Sequence, residues 1–501
     1  MPVSSAVDLS AVARVVGIKT AFKDLRGGGV LFLPQRVCIF GQGNTAAVYS
    51  TDKAQITSAV QAGATYGYGS PIHLAALQLL PTNGDGVGTI PVTVYPLEDN
   101  ASGVAATADI TPSGAATGAA SFVVKINNIE SAQFVVASGD SVAAIVTKIT
   151  TALAAELNLP MTATDSTTKV DLTSKWKGAS ANDLYIEIEA TSSEDNSGIT
   201  FAITQPTGGL VNPDVDDALA QIGNVWETMI LNCLDIADTA TLDKYATVGE
   251  GRWGALVRKP LMVFTGSTAT TPAAAITVPD ARKTDRTNVQ LVAPGSKDLP
   301  FVVAARELAR IVKVANNNPP RDYGSQKATG LNPGPDGDQW DYTQRDVAVK
   351  GGSSTIEVKD EVINLSDTVT FYHPTGDPTP AYRYVCDIVK LQNIIFNLNL
   401  IFATEEWDGA PLIPDDQPTI NPTAKKPQMA VAAVNALIDS LGLNAIISDP
   451  ETAKENTEAQ ISEQNPKRLD IALTLQLSGN TNIISVDFNF GFYFGTAAVV
   501  A

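Results

Sequence analysis

Thr228-Met229-Ile230-Leu231-Asn232-Cys233, Leu261-Met262-Val263-Phe264-Thr265 and Asn288-Val289-Gln290-Leu291-Val292-Ala293 are three short apolar runs in regular succession. Stretches with helical spacing flank them: 213–222 before the first, 239–253 and 272–283 between them, and 300–314 after the last. Repeated αβ units of this length imply a mainly parallel sheet with helices on its faces. Upstream, 30–40 reads as a buried strand ending at Gly41, 51–62 and 71–80 as helices, and 90–95 as another strand.

Between about 101 and 209 the composition shifts to Ala, Ser, Thr and Gly. Strands are expected at 121–126, 133–136, 170–173, 184–189 and 199–204. One helix, 141–157, crosses them and is capped by Asp140 or Ser141. This is a β-rich domain inserted into the first one. After the αβ units come a Pro/Gly/Asn loop at 316–341 and short strands near 355–358 and 367–372. A long apolar helix at 382–402, a Pro-rich connector at 411–427 and helices at 429–441 and 451–463 complete the body. No period of 20–50 residues repeats, so the chain is no solenoid. The fold class is α/β and multi-domain. Residues 1–30 form an N-terminal arm, with a flexible joint at Arg26-Gly27-Gly28-Gly29. Residues 31–100 and 210–380 form the core, 101–209 the insertion, and 381–501 a C-terminal α+β domain ending in a β-hairpin.

That hairpin is unusually apolar. Leu469, Ile471, Leu473, Leu475 and Leu477 alternate with Asp470, Ala472, Thr474 and Gln476. Gly479-Asn480-Thr481-Asn482 turns the chain. Ile484, Val486, Phe488, Phe490, Phe492 and Phe494 then line one face of the return run. A two-stranded ribbon is marginal alone, so it must dock on a core or gain strands. Its place near a chain end points to strand exchange with another subunit.

Composition narrows the function classes. Charged residues are 17%, against about 25% in an ordinary domain. Sparse charge in 501 residues suggests a surface that faces other protein. A neutral, Ser/Thr/Asn-rich surface on a monomer is the alternative. The net charge of −19 argues against nucleic acid, whose phosphates need a basic face. Cys38, Cys233 and Cys386 sit in separate apolar runs and read as buried free thiols, which fits a reducing compartment. No basic stretch leading into an apolar one suggests a secretory signal, and no run suggests a membrane span.

Catalytic signals are sparse. Gly41-Gln42-Gly43-Asn44-Thr45-Ala46-Ala47 comes after a strand and resembles a dinucleotide fingerprint. Residues 48–52 look like a second turn rather than a continuing helix, and Asp52 comes too early for the usual ribose-binding acid. His73 lies on an apolar helical stretch and reads as a partly buried, hydrogen-bonded residue, whereas His373 precedes Pro374 in a loop. The acidic Asp336-Gly337-Asp338 and Asp341 do not fit a calcium loop. Glu187/Glu189 and Glu405/Glu406 do not suggest paired acid/base work. We expect no enzyme activity, no cofactor and no metal. An α/β nucleotide-binding enzyme using residues 41–47, and a monomeric binding or adhesion module, are the rival readings.

Several stretches taken in order carry a resemblance. Leu33-Pro34-Gln35-Arg36-Val37-Cys38-Ile39-Phe40-Gly41-Gln42-Gly43, after an extended arm, resembles the opening of Mu-type contractile tail sheath proteins. Residues 316–321, Gly330-Leu331, Tyr342-Thr343-Gln344-Arg345-Asp346 and 351–358 are similar to that family's middle. The 382–402 helix and the terminal hairpin resemble its end. Residues 140–157 with Lys177-Gly178-Ala179-Ser180-Ala181-Asn182-Asp183 resemble an insert of this sheath branch.

The resemblance implies a virion tail subunit, assembled in the host bacterial cytoplasm, that polymerises as rings around a tail tube and contracts to drive the tube through the host envelope. Its implied partners are other copies of itself, the tube protein, and the baseplate and tail terminator proteins. Nucleic acid and membrane insertion are not expected. Val12, Val16 and Ile18 of the arm, with Leu473, Leu475, Val486, Phe488, Phe490, Phe492 and Phe494, would exchange strands between subunits. The bases Lys425, Lys426, Lys467 and Arg468 stand out in an acidic chain, and we expect them to face the tube.

Overall fold

The computed structural model describes residues 30–192, 194–377, 380–488 and 490. The chain first lays down β1 (Val37–Gln42), β2 (Ala54–Ile56), α1 (Ala59–Tyr66), α2 (Pro71–Leu79) and β3 (Val92–Leu97). Residues 51–62, expected to be helical, instead contribute β2, antiparallel to β3. The helix starts late because Ser58 is its N-cap, accepting from the Gln61 N–H. The Lys53 N–H before it is already taken by Gln221 Oε1 at 2.7 Å.

The insertion comes next: β4 (Ala105–Gly114), β5 (Ala120–Ile126), β6 (Ile129–Glu130), β7 (Phe134–Val136), α3 (Val142–Ala154), β8 (Met161–Asp165), β9 (Val170–Lys177), β10 (Ile186–Ala190) and β11 (Ile199–Thr207). They form two antiparallel sheets. One runs β11-β4-β9-β8; the other runs β10-β5-β6, with β7 also on β5. Ser141 caps α3. The chain enters and leaves at one point. Val104 N–H donates to Leu210 O at 2.9 Å and Leu210 N–H to Val104 O at 3.2 Å.

The αβ alternation then runs as α4 (Asp216–Ala220), β12 (Met229–Asn232), α5 (Thr239–Trp253), β13 (Met262–Ser267), α6 (Pro272–Asp280), β14 (Asn288–Val292) and α7 (Pro300–Asn317). The six-stranded sheet has the order β14-β13-β12-β1-β3-β2. All its pairings are parallel except β2 on β3. Its central strands are buried on both faces, which is why they read as continuous apolar runs. Val37, Ile39, Val94, Leu231 and Phe264 point into a core shared with α2 and α7. Cys38, Phe40, Tyr95, Ile230 and Val263 point into the opposite layer, with Leu219 of α4 and Leu242 and Tyr245 of α5.

The first of these cores does not stop at the insertion. It runs on through Ile110, Phe122, Val146, Leu172 and Trp176. Trp176 is fully buried and lies edge-on to Phe301 of α7, with 6.2 Å between ring centroids. Its Nε1–H donates to Ser180 Oγ at 3.1 Å. The insertion is therefore packed onto the αβ layer and not merely tethered to it.

Next come α8 (Tyr342–Lys350), β15 (Ile356–Lys359) and β16 (Val362–Leu365). Sequence reading missed α8, which begins in a full capping box between Asp341 and Gln344. It also placed the second strand too late, at 367–372. The turn between β15 and β16 is Asp360-Glu361, both at positive φ (51° and 61°). That is the backbone of a tight hairpin without the glycine that announces one. Thr370 forms only a bridge to Val289, which covers the β14 edge.

The C-terminal part contains α9 (Val385–Phe402), α10 (Pro427–Leu443), β17 (Ile447–Ser448), α11 (Pro450–Glu455), β18 (Glu458–Ile461), β19 (Leu469–Ala472) and β20 (Gln476–Leu477). The expected 451–463 helix is thus a short helix with a strand after it. The expected hairpin is not formed among the described residues. Instead β19 pairs with β18 and β20 pairs with β17, both antiparallel. Leu473 and Leu475 pack on a satellite core of Ile394, Val434, Ile438, Leu441 and Ile446. α9 has the length and apolar composition of a membrane span. It nevertheless buries Lys390, Gln392, Asn393 and Asn397 within the protein.

Candidate assembly site

The 41–47 turn is occupied by the protein itself. The Gly43 N–H donates to Tyr49 Oη at 3.1 Å and the Ala46 N–H to Asn44 Oδ1 at 2.9 Å. The N–H groups of Asn44, Thr45 and Ala47 go to the carbonyls of Tyr66, Lys175 and Asn44. A phosphate cradle needs such donors free at a helix start, whereas the next element here is the strand β2. Gln42 Nε2 reaches across to Asp99 Oδ1 and Lys177 O, so the end of β9 closes this edge of the sheet.

The other candidate groups are structural in their contacts. His73 is buried, and its Nδ1 accepts from the Gly69 N–H at 3.1 Å. His373 donates from Nδ1 to Phe371 O and faces Asp280 with Nε2. All three cysteines are free and buried. Glu187 pairs with Lys297 and Glu189 with Lys125. Among the described residues no group of three or more His, Cys, Asp or Glu is placed to hold a metal.

Burial pulls the His73 pKa down to about 4, and the Lys175 ammonium acts in the same direction. The unfolded imidazole, at about 6.5, therefore takes its proton first. Stability should fall as pH drops from about 6.5 to about 4 and gain no further loss from this group below that. His73→Gln should flatten the dependence. The check is the urea midpoint of both proteins at pH 7 and pH 4.5; identical slopes would contradict it.

The polar stripe of α9 is where both ends of the described chain are held. Residues 30–35 run extended along it. Leu31 N–H donates to Asn397 Oδ1 at 3.1 Å, and Asn397 Nδ2 returns a bond to Leu31 O at 2.9 Å. Leu33 N–H donates to Asn393 Oδ1 at 2.8 Å. The two amides thus do for this segment what a neighbouring strand does in a sheet. Val30 and Phe32 pack on the satellite core.

The C-terminal segment is seated one to two turns away on the same helix. The Lys390 ammonium is fully buried and donates to Asp387 Oδ1 (2.9 Å), Ser478 O (2.6 Å) and Asn480 Oδ1 (2.7 Å). Three donors meet three acceptors, which is what a buried ammonium requires. Asn480 Nδ2 also donates to Pro320 O at 2.8 Å. From Ile483 to Phe488 the chain leaves the body. Ile483, Ile484, Val486, Phe488 and Phe490 are 75–80% exposed. Phe488 and Phe490 stack on each other at 5.7 Å. Residues 483–488 and 490 have no strand partner among the described residues.

The predicted site residues divide accordingly. Val486, Phe488 and Phe490 lie on this exposed segment. Leu473 and Leu475 are spent on the chain's own satellite core. Val12, Val16, Ile18, Phe492 and Phe494 lie outside the described residues. Lys425 corrects the expectation made for it. It is buried, paired with Glu406, and stands 5.3 Å from the Trp407 ring centroid, so its charge is used internally. Lys426 bonds Asp415 O and Arg468 pairs with Asp470, while Lys467 is exposed. The sequence reading missed Lys390, Asn393 and Asn397. Their signal was present as polar residues on one face of an otherwise apolar helix.

One helix thus holds residues 31–33 and 478–480, and the described residues after Asn482 carry an exposed apolar run. Over 435 residues the chain is 24% identical to the Mu-like prophage FluMu tail sheath protein of Haemophilus influenzae, spanning 85% of this chain and 86% of that one. The family resemblance read from the sequence is thus met by a relative that is itself a tail sheath protein, a structural component of a phage tail. No protein-family model matches the chain. Solved structures similar to it include a sheath tail protein of Listeria innocua (13% identity, 90% of this chain and 94% of that one, TM-score 0.47). A sheath tail protein of Desulfitobacterium hafniense (14%, 92% and 100%, TM-score 0.45) is another. A third is a chain of the anti-feeding prophage baseplate in the contracted state (11%, 96% and 100%, TM-score 0.45).

Proposed function

We propose that this chain is the repeating structural subunit of a contractile phage tail sheath, that it polymerises around a tail tube by exchanging terminal strands, and that it has no catalytic role. The observation that carries the reading is the exposure of Ile483, Ile484, Val486, Phe488 and Phe490, which follow a fixed seat on α9. Apolar side chains at alternate positions with unpaired backbone are what strand addition to a neighbour uses. The sheath relative supports the same reading. In this account residues 1–30 and the C-terminal end act as arms. Residues 31–100 with 210–380 form the core, 101–209 the insertion, and 381–501 the assembly domain. The subunit works in the virion tail after assembly in the host cytoplasm. Its partners are other copies, the tube, the baseplate and the terminator.

Negative-stain microscopy of the purified protein tests this. Tubes or ring stacks are expected. A monodisperse monomer at every concentration, with a melting temperature raised by nucleotide, would favour the enzyme reading instead.

With Lys425 turned inward, Lys426, Lys467 and Arg468 remain as the proposed tube-facing bases. Exposed charges contribute at most about 1 kcal/mol each. Lys467→Glu with Arg468→Glu should weaken assembly on isolated tubes, more at low salt, and leave self-polymerisation intact. Co-sedimentation with tubes across salt concentrations reads this out; unchanged binding would remove these bases from the interface.

A further inference from the structure

We infer that Lys390 is a latch: it holds the chain at Ser478 and Asn480 so that the apolar segment beyond leaves the body in one fixed direction, and it opens as a local unit while the αβ core stays folded. This deepens the proposed function and rests on it for its purpose, but the latch itself is a property of the single chain. Three observations carry it. The Lys390 ammonium is fully buried, and two of its three acceptors, Ser478 O and Asn480 Oδ1, belong to the departing segment. The third, Asp387, lies on its own helix and keeps the charge paired when the segment lifts. Asn480 is fixed a second time, through Nδ2, to Pro320 O.

The latch seat lies where α9 passes from the αβ core, which takes in Val385, Cys386, Ile388 and Val389, to the satellite core that begins at Ile394. The departing segment itself adds little apolar burial beyond Leu477, being held by the polar contacts of Ser478 and Asn480. The strand just before it is β20, a two-residue strand on the equally short β17. Regions with few buried apolar contacts open locally at a fraction of the global cost. The same helix holds residues 31–33 through Asn393 and Asn397. Lys390 and Asn397 are seven residues apart, about 10 Å along the axis. The two terminal segments are therefore held at a fixed separation by about two turns of α9.

The chain carries its own reporter. Cys386 is buried with its Sγ 3.6 Å from Asn480 Oδ1, whereas Cys38 and Cys233 are wholly enclosed by the core sheet. Cys386 is the one thiol in contact with the departing segment, so opening the latch should uncover it ahead of the other two. The experiment is reaction of the full-length protein with a small maleimide under native conditions, each thiol tracked by peptide mass spectrometry. Lys390→Met removes the latch. Asn480→Ala removes one acceptor from the segment side, leaves the ammonium paired with Asp387, and is the milder variant if Lys390→Met does not fold. Both should speed labelling of Cys386 by about tenfold or more, as expected for losing hydrogen bonds to a charged group, with Cys38 and Cys233 unchanged. An unchanged Cys386 rate overturns the latch. Equal acceleration of all three thiols also overturns it, because opening would then be global unfolding. Failure of the wild-type chain to form tubes would sink the proposed function and leave the thiol result to decide the latch.

Discussion

A chain ending at Asn482 is expected to fold like the full-length protein and to form no tubes. The truncation keeps the latch acceptors Ser478 and Asn480, the β17–β20 pair and the packing of Leu473 and Leu475. It removes Ile483, Ile484, Val486, Phe488 and Phe490, whose side chains rest on little of the body. Deleting these exposed side chains, whose one ring contact is with each other, changes stability by roughly 0.5 kcal/mol or less. Strand addition, in contrast, supplies both main-chain hydrogen bonds and apolar burial between subunits. The loss of assembly should therefore be complete while the urea midpoint barely moves. Normal tubes from the truncated chain would show that the segment is not the connector.

Trp176→Ala is the substitution expected to cost the most stability. The indole is fully buried, bonds Ser180 through Nε1, and fills the seam between β9 and Phe301 of α7. Removing a buried aromatic ring leaves a cavity and costs about 3–5 kcal/mol. The cavity falls where the insertion meets the αβ layer, so the insertion should loosen first. Proteolysis between β8 and β11 should accelerate before the core unfolds. A loss under about 1 kcal/mol in urea unfolding, well short of the usual cost of such a cavity, with no new cleavage, would mean that the insertion is attached only through its two connecting strands.

The αβ part was legible because its strands are buried on both sides. A strand that cannot expose either face must be apolar throughout, and Met229–Asn232, Met262–Ser267 and Asn288–Val292 are buried along their whole length. The helix Thr239–Trp253 was placed to the residue, since Asp238 caps it and Gly254 ends it. Strand β4 escaped notice because its inward positions include Ala106 and Ala108, which carry too little apolar bulk to mark a face. α8 escaped because its helical signal is a capping box and not an apolar stripe.

The C-terminal reading went wrong for a different reason. Alternation identifies a strand's face but not its partner. Leu469 to Leu477 do alternate, and the structure pairs them with β17 and β18 instead of the return run. The described part of the return run is thereby left without a partner in its own chain. The segment's apolar character was readable; its freedom depended on a competing pairing the pattern cannot rank. Lys390 could have been suspected. An Asp three residues before a lone Lys in an apolar helix, with Asn393 and Asn397 continuing the stripe, marks a place where something polar must be held.

Amide hydrogen exchange of residues 483–490, in the free subunit and in assembled tubes, measures the central claim directly. In the free protein these amides should exchange at close to unfolded-chain rates, as expected for backbone with no strand partner. In tubes they should become protected at alternate positions, as one edge of a strand docked in a neighbour's sheet. Exchange that stays fast in well-formed tubes would contradict the account, because the subunits would then be joined by some other surface.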